Sequence, residues 1–401
     1  MFLLLARLLI FSGIMLVVVA QSTPSGPIAG RGQRDAKLAP SNSRFPNFDR
    51  RLLLETSSET SANVSIGDVD GDGKLDLVLA KGRHWPLRNR VLLGDGRGGI
   101  RTAYDLDTVA DRSYSGWLVD IDGDGDLDVV ISNDAPDPKR VYLNDGKGHF
   151  RLGSTYGRPE WETRNASIAD LNGDSLPDII VANRSDTGST NYICLNRGKG
   201  QFDADCIPFS HYPSTTITPA DFNHDGRIDL AVPHRDGGQS YVYLAGSNAT
   251  FSDSRRIPFG PPDATIRMAE AADFNGDGFL DIVAIDDERK AVEIYFGKRN
   301  GTFASGVSIG DRSIVPYALA VADLNRDGKI DIVVGYVKAR PTIYFNDGSG
   351  DKFSPVQFGD AEGAAYGFAI ADLDHDGFPD IAVARSEAPN VVYFGSPRSE
   401  R

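Results

Sequence analysis

Beyond residue 60 the chain repeats one pattern of apolar and polar positions. A short apolar run with small residues, as in "YALAVA" or "YGFAIA", leads into a polar loop rich in Asp and Gly. A β-branched run follows, as in "IDIVVG" or "LDVVIS", apolar on both faces and long enough for one strand. After a variable loop come "VYLNDGKGHF" (Val141–Phe150), "IYFGKRNGTF" (Ile294–Phe303) and "IYFNDGSGDKF" (Ile343–Phe353). Their central Gly and Asn residues mark a tight hairpin into a fourth strand. The polar loop begins at Asp68, Asp120, Asp170, Asp221, Asp273, Asp323 and Asp372, at intervals of 52, 50, 51, 52, 50 and 49 residues. Four strands in a unit of about fifty residues make a propeller blade, and seven units predict an all-β, seven-bladed β-propeller of antiparallel blades.

The chain ends fit a closed ring. The seventh unit stops at "VVYFGSPRSER", where its fourth strand should begin, and "NFDRRLLLETSS" ahead of the first unit resembles that missing strand. The segment at about residues 45–56 is therefore expected to complete the last blade, which removes the exposed edges of an open array. The propeller is expected to span 45–397. Residues 21–44 are rich in Pro, Ser and Gly and read as a flexible linker. Residues 1–20 carry one charge, Arg7, ahead of the apolar run "LLIFSGIMLVVVA", with Val18 and Ala20 placed for cleavage: a signal peptide. An uncleaved anchor is the competing reading and the only expected link to a membrane, since residues 2–20 are just long enough to span. The predicted location is secreted, periplasmic or cell-surface.

The repeated loop carries the clearest chemistry. Its oxygen-bearing side chains occupy positions 1, 3, 5 and 9: Asp68, Asp70, Asp72 and Asp76; Asp120, Asp122, Asp124 and Asp128; Asp170, Asn172, Asp174 and Asp178; Asp221, Asn223, Asp225 and Asp229; Asp273, Asn275, Asp277 and Asp281; Asp323, Asn325, Asp327 and Asp331; Asp372, Asp374, Asp376 and Asp380. Hard oxygen donors at alternate positions of a turning loop suit Ca²⁺. Position 6 is Gly in six of the seven loops, as a sharp turn with positive φ requires. An EF-hand would place Glu at position 12, but here that position is apolar (Leu79, Ile131, Ala284), and the last ligand is the Asp at position 9. The reading is a β-hairpin calcium loop, with up to seven structural Ca²⁺. The third loop is the weakest, with Ser175 for Gly and a stiffening Pro177.

Charge supports a ligand count rather than a polyanionic surface. The chain of 401 residues has a formal net charge of −14, and positions 1, 3, 5 and 9 of the loops hold 24 Asp and 4 Asn of its residues. That balance argues against nucleic acid as a partner. Two cysteines, Cys194 and Cys206, flank a predicted hairpin; a cross-strand disulfide and two free buried thiols are both compatible with the spacing.

The motifs, strand pattern and period resemble FG-GAP/VCBS repeats, as in integrin α-subunit propellers and many secreted bacterial proteins. The resemblance covers residues 45–395. It implies calcium on the lower face and partners on the upper face. Leg domains, an inserted domain and a transmembrane helix are missing from the pattern, so integrin-type heterodimer function does not carry over.

The loops expected on the upper face are rich in Arg and aromatic residues. Arg83, Trp85, Arg112, Trp161, Arg164, His211, Tyr212, His234 and Arg235 are the candidate ligand-binding residues. Guanidinium groups grip carboxylates and sulfates bidentately, and aromatic faces stack on sugars. The expected function is a non-catalytic binding or adhesion module, a monomeric propeller that receives an anionic glycan or an extracellular protein. The competing class is a polysaccharide lyase or hydrolase using His211, Tyr212, His234 and Arg235. No GxSxG, HExxH or phosphate loop occurs.

Overall fold

A computed structural model describes residues 45–186 and 188–397; the expected signal peptide and linker lie outside them. Seven four-stranded antiparallel sheets, each pairing its strands in order from inner to outer, form the blades of a closed ring. In the seventh, Asn47–Leu53 pairs with Val391–Ser396, so a strand from the start of the described chain completes the last blade, as the sequence pattern predicts. Apart from strands, two single-turn 3₁₀ segments occur in blade four. Among the described residues no helix is long and apolar enough to cross a membrane.

The second strand of every blade starts on the position-9 Asp of its loop and is buried throughout, from Asp76–Lys81 to Asp380–Ser386. Such strands are apolar on both faces because each blade is covered on both sides. The buried apolar residues fall into seven clusters, and each cluster bridges two neighbouring blades. Val64, Ile66 and Leu79 of blade one, for example, pack with Ala369, Ala382 and Phe394 of blade seven. Blades one and two meet through Val78 and Val91 against Val129 and Ile131. No blade has a core of its own, so the ring is the unit of stability.

Closure also has a polar component. The Lys81 side chain is 1% exposed and forms an ion pair with Glu55, itself 2% exposed, just beyond the closing strand. Glu59 caps the same ammonium at 2.7 Å, and Asn390 of blade seven donates to Glu55 at 2.5 Å. Burying a charge is tolerable only when it is paired in this way.

Cys194, at the end of the third strand of blade three, forms a disulfide with Cys206, which precedes the fourth. Their Cα atoms are 4.5 Å apart.

Candidate functional site

The aspartate loops share one hydrogen-bond scheme. In the first, both carboxylate oxygens of Asp68 accept backbone N–H groups, from Gly71 and Gly73, each at 2.8 Å. The Asp70 carboxylate accepts from the Asp72 N–H, and Asp72 from the Lys74 N–H. Asp76 is fully buried and accepts from Val69 N–H at 2.9 Å and Gly94 N–H at 2.8 Å, tying the loop to its own third strand. Position 4 as well as position 6 is left-handed in every loop. Non-glycine residues hold that conformation at His224, Arg326 and His375 (position 4) and at Ser175 (position 6). An added Cβ at Gly73 or Gly125 would meet nothing within 4 Å, so glycine is needed there for φ and not for space.

This scheme leaves lone pairs on the loop carboxylates. Oxygens of Asp68, Asp70 and Asp76 lie within 4.8 Å of one another, as do those of Asp120, Asp122 and Asp128 and of Asp372, Asp374 and Asp380. These clusters can hold a metal ion, and their all-oxygen donor set suits a hard cation. In the third, fourth and fifth loops the position-3 Asn turns its amide to the position-5 Asp, Asn172 to Asp174 at 2.9 Å for instance. Burial, aided by the neighbouring carboxylates, pushes the position-9 groups up: Asp76, Asp178 and Asp229 to about 6, Asp128 and Asp380 to about 7, Asp281 and Asp331 to about 8. Basic side chains gather at the same carboxylates. Arg101 pairs with Asp70 and Asp72, and Arg50 with Asp374 at 2.7 Å.

Three of the loops are also stitched to the following blade. Asn144, in the turn after the third strand of blade two, donates to the Val69 carbonyl in the loop of blade one at 2.7 Å. Asn196 bonds the Ile121 carbonyl and Asn346 the Phe274 carbonyl, both at 2.8 Å.

The opposite end of the molecule is built differently. In six of the seven inner strands the pairing shifts one residue after the strand begins or just beyond, as between Ser113 and Ser115. A bulge re-aims the extra side chain. Six residues before each first Asp, this position is Ala62, Tyr114, Arg164, Thr215, Arg267, Tyr317 and Tyr366. All of them line one central channel of about 730 Å³, together with Arg83 and His84 from the first blade's upper loop. The inner strands run the height of the ring, so this mouth lies about 20 Å from the aspartate loops.

The mouth is a cluster of guanidinium groups and phenols. Arg83 lies 3.9 Å from the Tyr366 ring centre and Arg267 3.7 Å from that of Tyr317; the two tyrosines meet edge to face at 4.6 Å. Burial alone would raise the Tyr317 phenol, but Arg267 and Arg83 outweigh it and hold it below the usual tyrosine range. Tyr366 is pushed up to about 12, chiefly by burial. His84 is held below its ordinary value by burial and by Arg83 and Arg164.

The predicted upper-face residues divide between this mouth and internal contacts. Arg83 and Arg164 reach the mouth, and Trp85 stands 69% exposed on the tip of the same upper loop as Arg83. Arg112 is held by Asp137 through two contacts at 3.0 and 3.2 Å. Trp161 stacks on Tyr192 with ring centres 4.0 Å apart. Arg235 is 7% exposed and bonds Asp287 at 2.5 Å. Tyr212 and His234 are neighbours at 5.1 Å, with the Tyr212 hydroxyl accepting from Arg256; His211 instead meets Thr190. Sequence reasoning missed Tyr317, and also Glu270 and Trp117, which line the channel three residues before their first Asp. The constant offset from the motif was the signal that could have found them.

A model of the FG-GAP-like repeat matches residues 68–131, 120–181, 170–232, 221–284, 273–334 and 323–383, an unbroken run of overlapping units. The chain belongs to the FG-GAP-like repeat family. Comparison with curated protein sequences finds no match. Among solved structures, this FG-GAP propeller is similar to an Agrocybe aegerita lectin described for specific recognition of non-reducing terminal N-acetylglucosamine. The TM-score is 0.52 and the identity 20%, over 75% of this chain and 80% of that one. It is also similar to BBS1N, solved in complex with ARL6DN, with a TM-score of 0.59 and 11% identity, over 89% of this chain and 98% of that one. At such identities the likeness is one of fold.

Proposed function

We propose that this FG-GAP propeller is an exported, non-catalytic binding module whose ring is stabilised by calcium in the aspartate loops and whose ligand is received at the opposite end. The observation that carries the reading is the division of the molecule into two chemically distinct ends. Clustered carboxylate oxygens crowd one end, and guanidinium and phenol groups crowd the mouth of an open channel at the other. Ca²⁺ would be held by positions 1, 3, 5 and 9 of each loop; when bound it supplies positive charge to buried carboxylates. The ring then gives the channel mouth a rigid frame. The disulfide fits an oxidising compartment. A glycan is the favoured ligand class, since arginine and tyrosine together suit acidic sugars, and the lectin neighbour is a precedent for sugar recognition on a propeller.

A glycan array probed with the calcium-loaded protein tests this reading. Retention of acidic glycans, lost after EDTA treatment and restored by Ca²⁺, is the expected result. Binding of no glycan class, with or without Ca²⁺, would remove the glycan reading and leave a protein partner as the alternative.

A further inference from the structure

We propose that the central channel itself is the recognition pocket, and that it takes the terminal sugar of an acidic glycan end-on, with the sugar carboxylate on Arg83. This rests on the glycan-binding reading above and goes further by naming the anchor, the sugar class and the direction of entry.

Arg83 is the anchor because no carboxylate neutralises it. The other arginines around the mouth are committed: Arg267 to Asp287 at 2.8 Å, Arg164 to Asp134 at 2.6 Å and Arg184 to Asp236 at 2.7 Å. Among the described residues no carboxylate pairs with Arg83; its neighbours are three tyrosines, the rings of Tyr366 at 3.9 Å and Tyr114 at 5.3 Å and the phenol of Tyr317. On a chain with a net charge of −14, a half-buried guanidinium left without an acid is a place for an anion. The backbone is built to put it there. Arg83 is left-handed, with φ +55°, a conformation that costs a non-glycine residue about 1 kcal/mol. Gly82 before it has φ +116°, and a Cβ there would come within 2.3 Å of the Trp85 carbonyl oxygen and 2.7 Å of that of Asp111. Blade one contributes only Ala62 to the bulge ring, so the lumen has room for the side chain that this turn delivers.

The rest of the channel suits a sugar. Its volume of about 730 Å³ lies within the ~300–1,000 Å³ of small-ligand sites. The walls are mixed: Leu319 and Phe368 are apolar, Asp120 and Asp170 of the aspartate loops line the far end, and Glu270, nearer the mouth, is a carboxyl with no ion pair or hydrogen bond among the described residues. Trp117 Nε1, Asn165 Oδ1 and Thr216 Oγ1, buried in the same wall, have no hydrogen-bond partner. Buried polar groups left unpaired are costly, and ligand hydroxyls reached by a small side-chain rotation would satisfy them. Burial pushes Glu270 up to about 8, so near neutral pH it is largely protonated and does not repel an anion. Seven blades enclose the lumen, which leaves entry along the axis as the route; a chain end fits it and the middle of a polymer does not.

Trp117 provides the readout. The Trp85→Phe/Trp161→Phe double variant keeps Trp117 as the single tryptophan of the described chain, and its emission is followed with Ca²⁺ present while methyl glucuronide or methyl glucoside is titrated. The expected result is a saturable change with the glucuronide only, weakened at least tenfold by Arg83→Gln and less by Arg83→Lys. The calcium-dependent melting of both Arg83 variants should match the parent, which separates lost recognition from lost fold. If acidic glycans bind equally well to Arg83→Gln and Trp117 stays silent, the ligand sits on the rim; the channel inference then fails while the proposed function stands. If neither acidic nor neutral glycans bind at all, the channel inference and the glycan reading fall together.

Discussion

Single residues carry strain or charge that the rest of the ring must offset, and two of them give direct tests. Ser175 occupies position 6 of the third loop with φ +68°, where the other six loops have Gly. Ser175→Gly should raise stability by about 1 kcal/mol, read from denaturant midpoints, because only a left-handed side-chain penalty is removed. Glu270 is the second. Its folded value, about 8, lies above the ordinary carboxylate range because of burial. A raised acid contributes stability that is complete below its unfolded value, near 4.5, and is lost as pH rises through the folded value. With Ca²⁺ saturating, the melting temperature of the parent should therefore fall relative to Glu270→Gln between about pH 5 and 8 and run parallel to it above that. Profiles parallel within that window as well would mean that Glu270 does not carry this burden. At this scale the sequence was partly legible. The aspartate clusters were readable because their spacing is local. Arg235 looked free because its partner, Asp287, lies 52 residues away in the next blade. That separation is the repeat period itself, so the pairing was encoded but only visible once the loops were overlaid.

At the scale of elements, the strands were legible and their exact aim was not. Alternating and doubly apolar runs define four strands per blade, and the segment beginning at Asn47 pairs where its likeness to other fourth strands placed it. The one-residue shifts near the start of the inner strands leave no mark in the hydrophobic pattern, which is why Tyr317 went unnoticed. The closing strand also carries a buried ion pair that periodicity does not reveal. Lys81→Met should destabilise the ring by about 3–5 kcal/mol, since it leaves Glu55 buried without its cation. The double change Lys81→Met/Glu55→Met should recover much of that loss in equilibrium unfolding. A single variant as stable as the parent would show that closure depends on the apolar contacts alone. The stitch from Asn144 to Val69 makes a gentler test: Asn144→Ala should cost about 1–2 kcal/mol and weaken metal retention by the first loop, whose carbonyl it holds.

For the whole molecule, the lack of any blade-sized core makes stability collective. Every apolar cluster is shared by two blades, and the loops stand at the same end of all seven. A cation bound in one loop therefore stabilises both neighbouring interfaces, and unfolding should remain cooperative even when sites differ in affinity. The closed ring also separates two chemically distinct ends, carboxylate clusters at one and guanidinium and phenol groups at the other. The most direct test of this account is calorimetric melting of the metal-stripped protein as Ca²⁺ is added back, with bound calcium counted by elemental analysis. Each site occupied at a hundredfold excess over its Kd adds about 2.7 kcal/mol, so several sites should raise the melting temperature by at least about 10 °C in one cooperative transition. A melting temperature indifferent to EDTA and Ca²⁺, with no calcium retained, would contradict the account at its centre.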